Sequence, residues 1–187
     1  MSQKTVLSAR RILLSGPLFF DTETTGLDRF AEIVEIGVVD AAGQSVLDTL
    51  VRPKRRIPAD ATSVHGITND MVLDAPTWPE IWPEVKRLFA DRRVGTFNAE
   101  FDLRMMRQSH EQRDLPWEEM GGRAFCVMKM YARYYGELVG VGKMKWQSLQ
   151  RAGQQCGIPL PNSHRAVDDA RLTSAVFRHM AGRADSP

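Results

Sequence analysis

The chain has 187 residues, of which 43% are hydrophobic, and this suits one domain with a substantial buried core. Its 25 Lys and Arg residues nearly balance its 23 Asp and Glu residues. The resulting formal net charge of +2 excludes a polyanion binder that is basic over its whole surface, so any basic surface must be local. The two cysteines, Cys126 and Cys156, lack C-x-x-C spacing, which excludes a zinc knuckle and favours buried, reduced thiols.

The N-terminal segment superficially resembles a signal peptide, because a pair of arginines precedes apolar residues over 10–20. It lacks a small-residue cleavage site and leads directly into Asp21, so we predict a short helix, a turn and a strand instead. No stretch approaches the roughly 20 apolar residues that span a bilayer, and we expect a cytoplasmic protein without a membrane partner. We assign residues 1–17 to a partly helical N-terminal extension, 18–183 to one domain and 184–187 to a flexible tail.

Three strands are predicted next. Leu18–Phe20 is a short apolar run that ends at the carboxylate of Asp21. Residues 32–40 are rich in β-branched side chains and partly alternate, and residues 45–51 follow an Ala-Ala-Gly turn. These segments predict an antiparallel meander.

Beyond Pro53 the chain becomes mostly helical, with two short strands between the helices. Strands first, followed by helices that alternate with strands, predict an α/β fold in which helices flank a mixed five-stranded sheet. The predicted helices are 58–64, 69–73, 78–90, 99–111 and 166–180, and the two further strands are 93–97 and 124–127.

Asp21 and Glu23 are the first candidates for chemistry. Side chains two residues apart on a strand share one face, so these carboxylates repel each other unless a cation lies between them. Hard cations such as Mg²⁺ favour oxygen ligands. An isolated D-x-E would more often mark a solvated loop, but Thr24-Thr25-Gly26 follows as a predicted turn that a substrate backbone could approach closely.

Further candidates follow in two later segments. Asp102 comes just after a strand, in the first turn of a predicted helix, where the helix dipole alone would favour an acid. His164 and Asp169 are five residues apart, which is about 140° around a helix, so they cannot share a helical face. We therefore predict that His164 lies before the last helix and can reach over an ion bound by Asp169. Separately, these residues could be a surface histidine and a dipole-favoured acid.

In this order, the runs D-x-E, N-A-x-F-D and H-x-A-x-x-D-A resemble the DEDDh, or DnaQ-like, exonuclease family of the RNase H-like superfamily, which includes polymerase proofreading subunits. The resemblance extends from about Leu18 to Met180, and Val64–Thr68 is also similar to a family element near the substrate. It implies an RNase H-like fold and a 3′-5′ exonuclease that releases nucleoside 5′-monophosphates.

The resemblance also implies roles for individual residues. Two Mg²⁺ or Mn²⁺ ions would stabilise the attacking and leaving oxygens at phosphorus, and a largely neutral histidine would act as general base. The implied metal ligands are Asp21, Glu23, Asp102 and Asp169, the implied base is His164, and the implied substrate contacts are Thr24, Thr25, Gly26, His65, Asn98 and Phe101. Thr24–Gly26 could equally form a plain turn, and Phe101 could belong to the core.

Three other aromatic positions have open interpretations. Many members of the family carry a histidine where this chain has Phe97, which could stack on a base or end a buried strand. Trp78 is expected to cover the core. Trp146, between Lys143 and Lys145, could stack on a single strand, but its closeness to Leu149 favours packing in a helix.

Several alternatives remain at the level of function. The expected substrate is the 3′ end of single-stranded DNA, with RNA as the alternative, and a polymerase partner or a homodimer is left open. One rival is an RNase H-like endonuclease or strand transferase, which would nick a closed circle. Another is a noncatalytic nucleic-acid-binding or polymerase-partner module, which would not release mononucleotides. DNA repair, turnover and proofreading are equally consistent with the residues.

Overall fold

The computed structural model describes residues 2–119 and 122–182, and within them five strands form one mixed sheet. The predicted α/β architecture is therefore confirmed. The sheet has the order β3-β2-β1-β4-β5, with β1, β2 and β3 antiparallel and β1, β4 and β5 parallel. The strands are β1 (Leu18–Thr24), β2 (Ile33–Val39), β3 (Ser45–Leu50), β4 (Val94–Thr96) and β5 (Ala124–Cys126).

Helices cover both faces of the sheet. They are α1 (Gln3–Leu14), α2 (Ala59–His65), α3 (Trp78–Phe89), α4 (Ala99–Glu111), α5 (Val127–Tyr135), α6 (Leu149–Gln155) and α7 (Ala166–Met180). The predicted bounds of α4 and α7 are those observed. The helical segment predicted at 69–73 is present only as a single 3-10 turn, Asp70–Val72. The helix predicted at 58–64 is shifted by one residue, because Pro58 is its N-cap and Gly66 ends it with a φ of 73°.

The hydrophobic core has two parts, one on each face of β1. Phe19 packs against Phe177 of α7, with ring centroids 5.3 Å apart. Phe20, on the opposite face, packs against Phe89 of α3 at 5.1 Å. Trp78 is buried in this second part, as expected. Because β1 is covered on both faces, polar side chains along it can lie only near its C-terminal end.

The first strand is longer than its apolar run predicts. The apolar run ends at Asp21, but β1 continues to Thr24, and β2 pairs with it from Phe19 to Thr24 with a register shift after Glu23. Asp21 lies opposite Gly37, and Glu23 lies opposite Glu35. Hydrogen bonds to β2 pair the backbone N–H and C=O groups at this end of β1, so the strand continues although its side chains there are polar.

The start of α7 lies directly on β2. A methyl group on Gly37 would be 2.2 Å from the backbone nitrogen of Val167, so this approach requires a glycine. The contact fixes the first turn of α7 beside the polar end of β1.

The segment before α6 differs from the prediction. Trp146 was expected to pack in a helix, but α6 begins only at Leu149, where the Ser148 side chain caps it. Trp146 precedes the cap and is 61% exposed. The helical pattern was misleading because Gln147 and Leu149 are both buried while Trp146 and Ser148 are exposed, which is the alternation of an extended segment.

Some earlier expectations concern other parts of the chain. Cys126 and Cys156 are free thiols, as expected, but they are only partly buried. The flexible tail predicted at 184–187 lies outside the described residues. Within the described ranges, no helix has both the length and the apolar character needed to cross a bilayer.

Candidate active site

Asp21 and Glu23 project from the same face of β1, the face that α7 covers. Their alternation along the strand leaves both carboxyl groups partly exposed, while Thr22 between them is buried on the other face. The central strand of the sheet thus presents two acids toward the first turn of α7.

Asp102 reaches the same place from α4. Its carboxylate is 3% exposed and is held on both oxygens. The Thr22 hydroxyl donates to Oδ1 at 2.9 Å, and the Thr96 hydroxyl donates to Oδ2 at 2.6 Å. Since Thr22 belongs to β1 and Thr96 to β4, these hydrogen bonds fix the helix carboxylate against two neighbouring strands.

Asp169 lies in the first turn of α7 and is 4% exposed. The Asn162 side-chain amide donates to its Oδ2 at 2.7 Å, and the Ser163 backbone N–H donates to its Oδ1 at 3.1 Å. The loop before α7 therefore folds back onto its own helix. His164 lies in this loop, before the helix as its spacing predicts, with a positive φ of 52° and an exposed side chain.

These residues line one cavity of about 200 Å³. Ligand atoms of Glu23, His164 and Asp169 all lie within 4.8 Å of one another. The structure thus brings together all five of the residues singled out from the sequence for catalysis: Asp21, Glu23, Asp102, His164 and Asp169.

The crowded carboxyl groups disfavour ionisation. Burial, followed by repulsion from Asp102 and Glu23, raises the pKa of Asp21 well above its ordinary value. Burial and then Asp169 raise the pKa of Glu23 to about 8. Burial also raises the pKa values of Asp102 and Asp169 to about 6, although hydrogen bonds from Thr96 and from the Ser163 backbone, respectively, oppose the shift. Divalent cations would remove this repulsion, and the oxygen-rich donor set fits hard ions.

A second, wider groove of about 640 Å³ continues from the cavity. The two share Thr22, Glu23 and Phe101. Beyond these residues the groove is lined by the turn that follows β1 and by α2. Of the four acids, Glu23 therefore lies where the two spaces adjoin, and the other three line the smaller cavity.

Most of the predicted substrate contacts line this groove, but several have structural partners. The Thr24 hydroxyl donates to the Gly26 carbonyl at 2.8 Å, and the Thr25 hydroxyl accepts from the Glu32 N–H at 3.0 Å. His65 accepts from the Ile67 N–H at 3.0 Å, which leaves Nε2 to donate to the Thr24 carbonyl at 3.2 Å.

The hydroxyls of Thr24 and Thr25 and the imidazole of His65 therefore stabilise the turn through hydrogen bonds to backbone groups. By contrast, Gly26 has open space beside its Cα, and the Phe101 side chain reaches both spaces. Asn98 is exposed at the N-cap of α4 and lines the smaller cavity. Phe97 is a buried residue directly after β4 that also forms part of the cavity wall.

Sequence reasoning missed an ion pair that holds the His164 loop. Glu35 on β2 is 1% exposed and accepts from Arg165 Nε at 2.9 Å and from the Ala166 backbone N–H at 2.8 Å. A second guanidinium nitrogen of Arg165 completes a bidentate pair. Two features of the sequence could have indicated this pair: an acid, Glu35, within an otherwise apolar strand, and an arginine, Arg165, next to His164. Together they fix the residue next to His164 and the first N–H of α7.

Comparison with known proteins agrees with this geometry. Residues 18–177 match the RNase_T family model, described as exonuclease. The chain is 39% identical over 178 residues to uncharacterized exonuclease CP81 of Escherichia phage 186, which covers 92% of each chain. It is 31% identical over 165 residues to the DNA polymerase III subunit epsilon of Treponema pallidum (strain Nichols), which covers 86% of this chain and 74% of that subunit.

The chain belongs to the DEDDh 3′-5′ exonuclease family. Exonuclease X in complex with 5′ overhanging duplex DNA has a TM-score of 0.65 and 30% identity, covering 91% of this chain and 93% of that one. The nuclease domain of 3′hExo, a DEDDh family member bound to rAMP, has a TM-score of 0.71 at 18% identity and covers 87% and 89% of the two chains, which supports the fold. The RNase H-like fold and the exonuclease activity expected from the sequence are thereby confirmed, and enzymes of this family depend on divalent metals.

The raised pKa values predict how metal ions stabilise the exonuclease. A group whose pKa is higher in the folded than in the unfolded protein stabilises the folded state fully at pH values below the unfolded pKa. This stabilisation is lost as the pH rises through the folded pKa. For Glu23 this window runs from 4.5 to about 8. The metal-free protein should therefore lose thermal stability over that window. Mn²⁺ binds the ionised carboxylates, so at one fixed concentration, a hundred-fold above its Kd at pH 8, it should raise the Tm by about 5–10 °C at about pH 8 and by less at about pH 5.

Thermal unfolding in chelator and in Mn²⁺ at the two pH values measures this difference. Glu23→Gln is the matched control, because it removes the titrating group while keeping the shape of the side chain. An Mn²⁺-induced rise in Tm that is equal at both pH values would contradict the electrostatic account.

The Glu35–Arg165 pair makes a separate prediction. Glu35→Gln leaves the half-exposed guanidinium of Arg165 without its carboxylate and should lower the free energy of unfolding by about 1.5–3 kcal/mol, the usual loss for a hydrogen bond to a charged group. It should also lower kcat by about 10-fold to 100-fold, because His164 loses its support. Urea unfolding and steady-state kinetics measure the two effects.

Arg171→Ala is the control, since Arg171 forms a more exposed pair with Asp168 at 2.8 Å on the same helix. Its loss should cost less than about 1 kcal/mol. Equal losses of unfolding free energy in the two variants would show that the Glu35–Arg165 pair does not fix the loop before α7.

Proposed function

We propose that this exonuclease removes nucleotides from the 3′ end of single-stranded DNA and releases nucleoside 5′-monophosphates by two-metal-ion hydrolysis. The observation that carries the proposal is the convergence of carboxylates from β1, α4 and α7, with one imidazole, on a cavity that opens into a wider groove. In this proposal Asp21, Glu23, Asp102 and Asp169 are the ligands of two Mg²⁺ or Mn²⁺ ions.

The donor set fits two divalent ions. Four carboxylates balance the formal charge of two divalent cations. Burial raises the pKa values of all four, and such ions would relieve the repulsion that raises those of Asp21 and Glu23 further. When bound, the pair would activate a water and neutralise charge at the phosphate. The hydrogen bonds to Asp102 and Asp169 orient these carboxylates before any ion arrives.

His164 is the proposed general base. Its ring lies close enough to Glu23 and Asp169 to serve as a metal ligand as well. We favour the role of base, because hard ions prefer oxygen and the exposed loop position lets the ring face an incoming water. In this role His164 accepts a proton from the attacking water, and the Glu35–Arg165 pair keeps its loop over the cavity.

The wider groove is the proposed site of the terminal nucleotide. Gly26 permits close approach, Phe101 offers an apolar surface, and the turn built by Thr24, Thr25 and His65 closes one end. Asn98, in the smaller cavity, would lie beside the scissile phosphate.

DNA is favoured over RNA by the comparison with solved structures. The 30%-identical neighbour is a complex with duplex DNA, whereas the neighbour bound to rAMP is 18% identical and supports the fold alone. The similarity to a polymerase III epsilon subunit makes a polymerase the partner to test first, in a role such as proofreading or repair.

Product analysis on 5′-labelled single-stranded DNA and RNA of equal sequence tests the proposal. With Mg²⁺ or Mn²⁺ we expect stepwise shortening from the 3′ end, faster on DNA, with nucleoside 5′-monophosphates as products. His164→Ala should lower kcat by about 10²–10⁴-fold while Mn²⁺ still binds. Asp21→Ala should be worse, because it removes a metal ligand.

Glu100→Gln is the matched control, since this exposed acid is two residues from Asp102 but pairs with Lys129. It should retain wild-type activity. Nicking of closed circular DNA would instead support an endonuclease, and failure to release mononucleotides with any divalent metal would support a noncatalytic binding module.

A further inference from the structure

The two connected spaces of the site imply a direction for the nucleic acid strand, if the proposed function holds. An enzyme that cuts off the terminal nucleotide needs one side of its catalytic acids for that nucleotide and the other side for the rest of the strand. The wider groove, which is lined by the turn after β1 and by α2, would hold the terminal nucleotide. Leu149, at the start of α6, lines the smaller cavity but not the wider groove.

The segment that leads into Leu149 is a small hairpin, residues 137–146, which we name the hairpin arm. An antiparallel bridge joins Leu138 and Met144, and the Lys145 N–H donates to the Glu137 carbonyl at 2.8 Å. The Glu137 carboxylate also pairs with Lys145 Nζ at 2.5 Å and accepts from the Gln147 amide at 3.0 Å. Because Gln147 is buried, these bonds attach the arm to the body of the protein.

The outer surface of the arm is unusually apolar for exposed residues. Trp146 is 61% exposed, Leu138 and Val139 are each more than half exposed, and Val141 at the tip is fully exposed. Contiguous exposed apolar side chains of this kind mark binding surfaces. Lys143 is exposed on the same short hairpin, so the surface combines aromatic, aliphatic and cationic groups.

Trp146 also lies close to the catalytic cavity. It is three residues before Leu149, so their Cα atoms are at most about 11 Å apart. The arm therefore leads directly into a residue of the cavity wall that the wider groove does not share. An indole and a lysine ammonium together match a single strand of nucleic acid, which offers base faces for stacking and phosphates for ion pairs.

We propose that the hairpin arm binds the single-stranded nucleic acid just upstream of the scissile phosphate, with Trp146 stacking on a base and Lys143 near the backbone. The arm would give the exonuclease a preference for substrates longer than one or two nucleotides. Binding of nucleic acid would also account for the exposure of Trp146, a large apolar side chain that the hairpin arm holds on the surface.

Two substrates test the proposal: a 12-nucleotide single-stranded DNA and the p-nitrophenyl ester of thymidine 5′-monophosphate, which has no upstream strand. Trp146→Ala should raise KM for the oligonucleotide about ten-fold, with kcat within about two-fold of wild type, because one stacked base is lost. The ratio of kcat/KM on the oligonucleotide to kcat/KM on the ester should fall by the same factor. Trp146→Phe should restore most of the loss, and Lys143→Ala should weaken the salt dependence of KM.

Leu14→Ala, at an exposed apolar position on α1, is the control and should behave as wild type. An unchanged KM for the oligonucleotide in Trp146→Ala would overturn the proposal, as would an equal loss on both substrates. A self-association that Trp146→Ala abolishes without changing KM would assign the arm to a protein interface instead. Wild-type protein inactive on both substrates would overturn the proposed function together with this inference, an outcome distinct from failure of the arm alone.

Discussion

Repulsion among four carboxyl groups gathered in a largely buried cavity is the constraint on which the rest of the site depends. Burial raises the pKa values of all four acids, and repulsion from the neighbouring acids raises those of Asp21 and Glu23 further, so the fold holds them in an arrangement that is unfavourable without cations. Such an arrangement persists only where the surrounding structure fixes it. The same crowding favours the binding of divalent ions, because each cation is attracted by several closely spaced carboxylates at once.

The scaffold resists this repulsion through contacts that lie one step away from the acids. Thr22 and Thr96 hold Asp102 from two strands, and the loop before α7 holds Asp169. β2 fixes the start of α7 twice, through the close approach at Gly37 and through the Glu35–Arg165 pair. A misplaced first turn of α7 would move both an acid and His164, so these contacts connect the packing of the sheet to the chemistry.

Local pattern and composition predicted the sheet and the bounds of α4 and α7, whereas the resemblance to the exonuclease family implied that the four acids and His164 form one site. Pattern and composition succeeded because strand alternation and helix spacing determine which side chains share a face. They failed where distant partners decide. The length of β1 depends on pairing with β2, the role of Glu35 depends on an arginine 130 residues away, and the exposure of Trp146 depends on a hairpin held by Gln147. β2 and Arg165 are distant in sequence from the residues they fix, and Gln147 acts through a hydrogen bond to Glu137, ten residues before it.

A crystal structure of the protein with Mn²⁺, analysed by anomalous scattering, tests the central claim most directly. The account predicts two anomalous peaks about 3.5–4 Å apart, both coordinated by the carboxylates of β1, α4 and α7, with the His164 ring facing them and not coordinating. A cavity that stays empty at saturating Mn²⁺, or one ion held by Glu23, His164 and Asp169 alone, would contradict it.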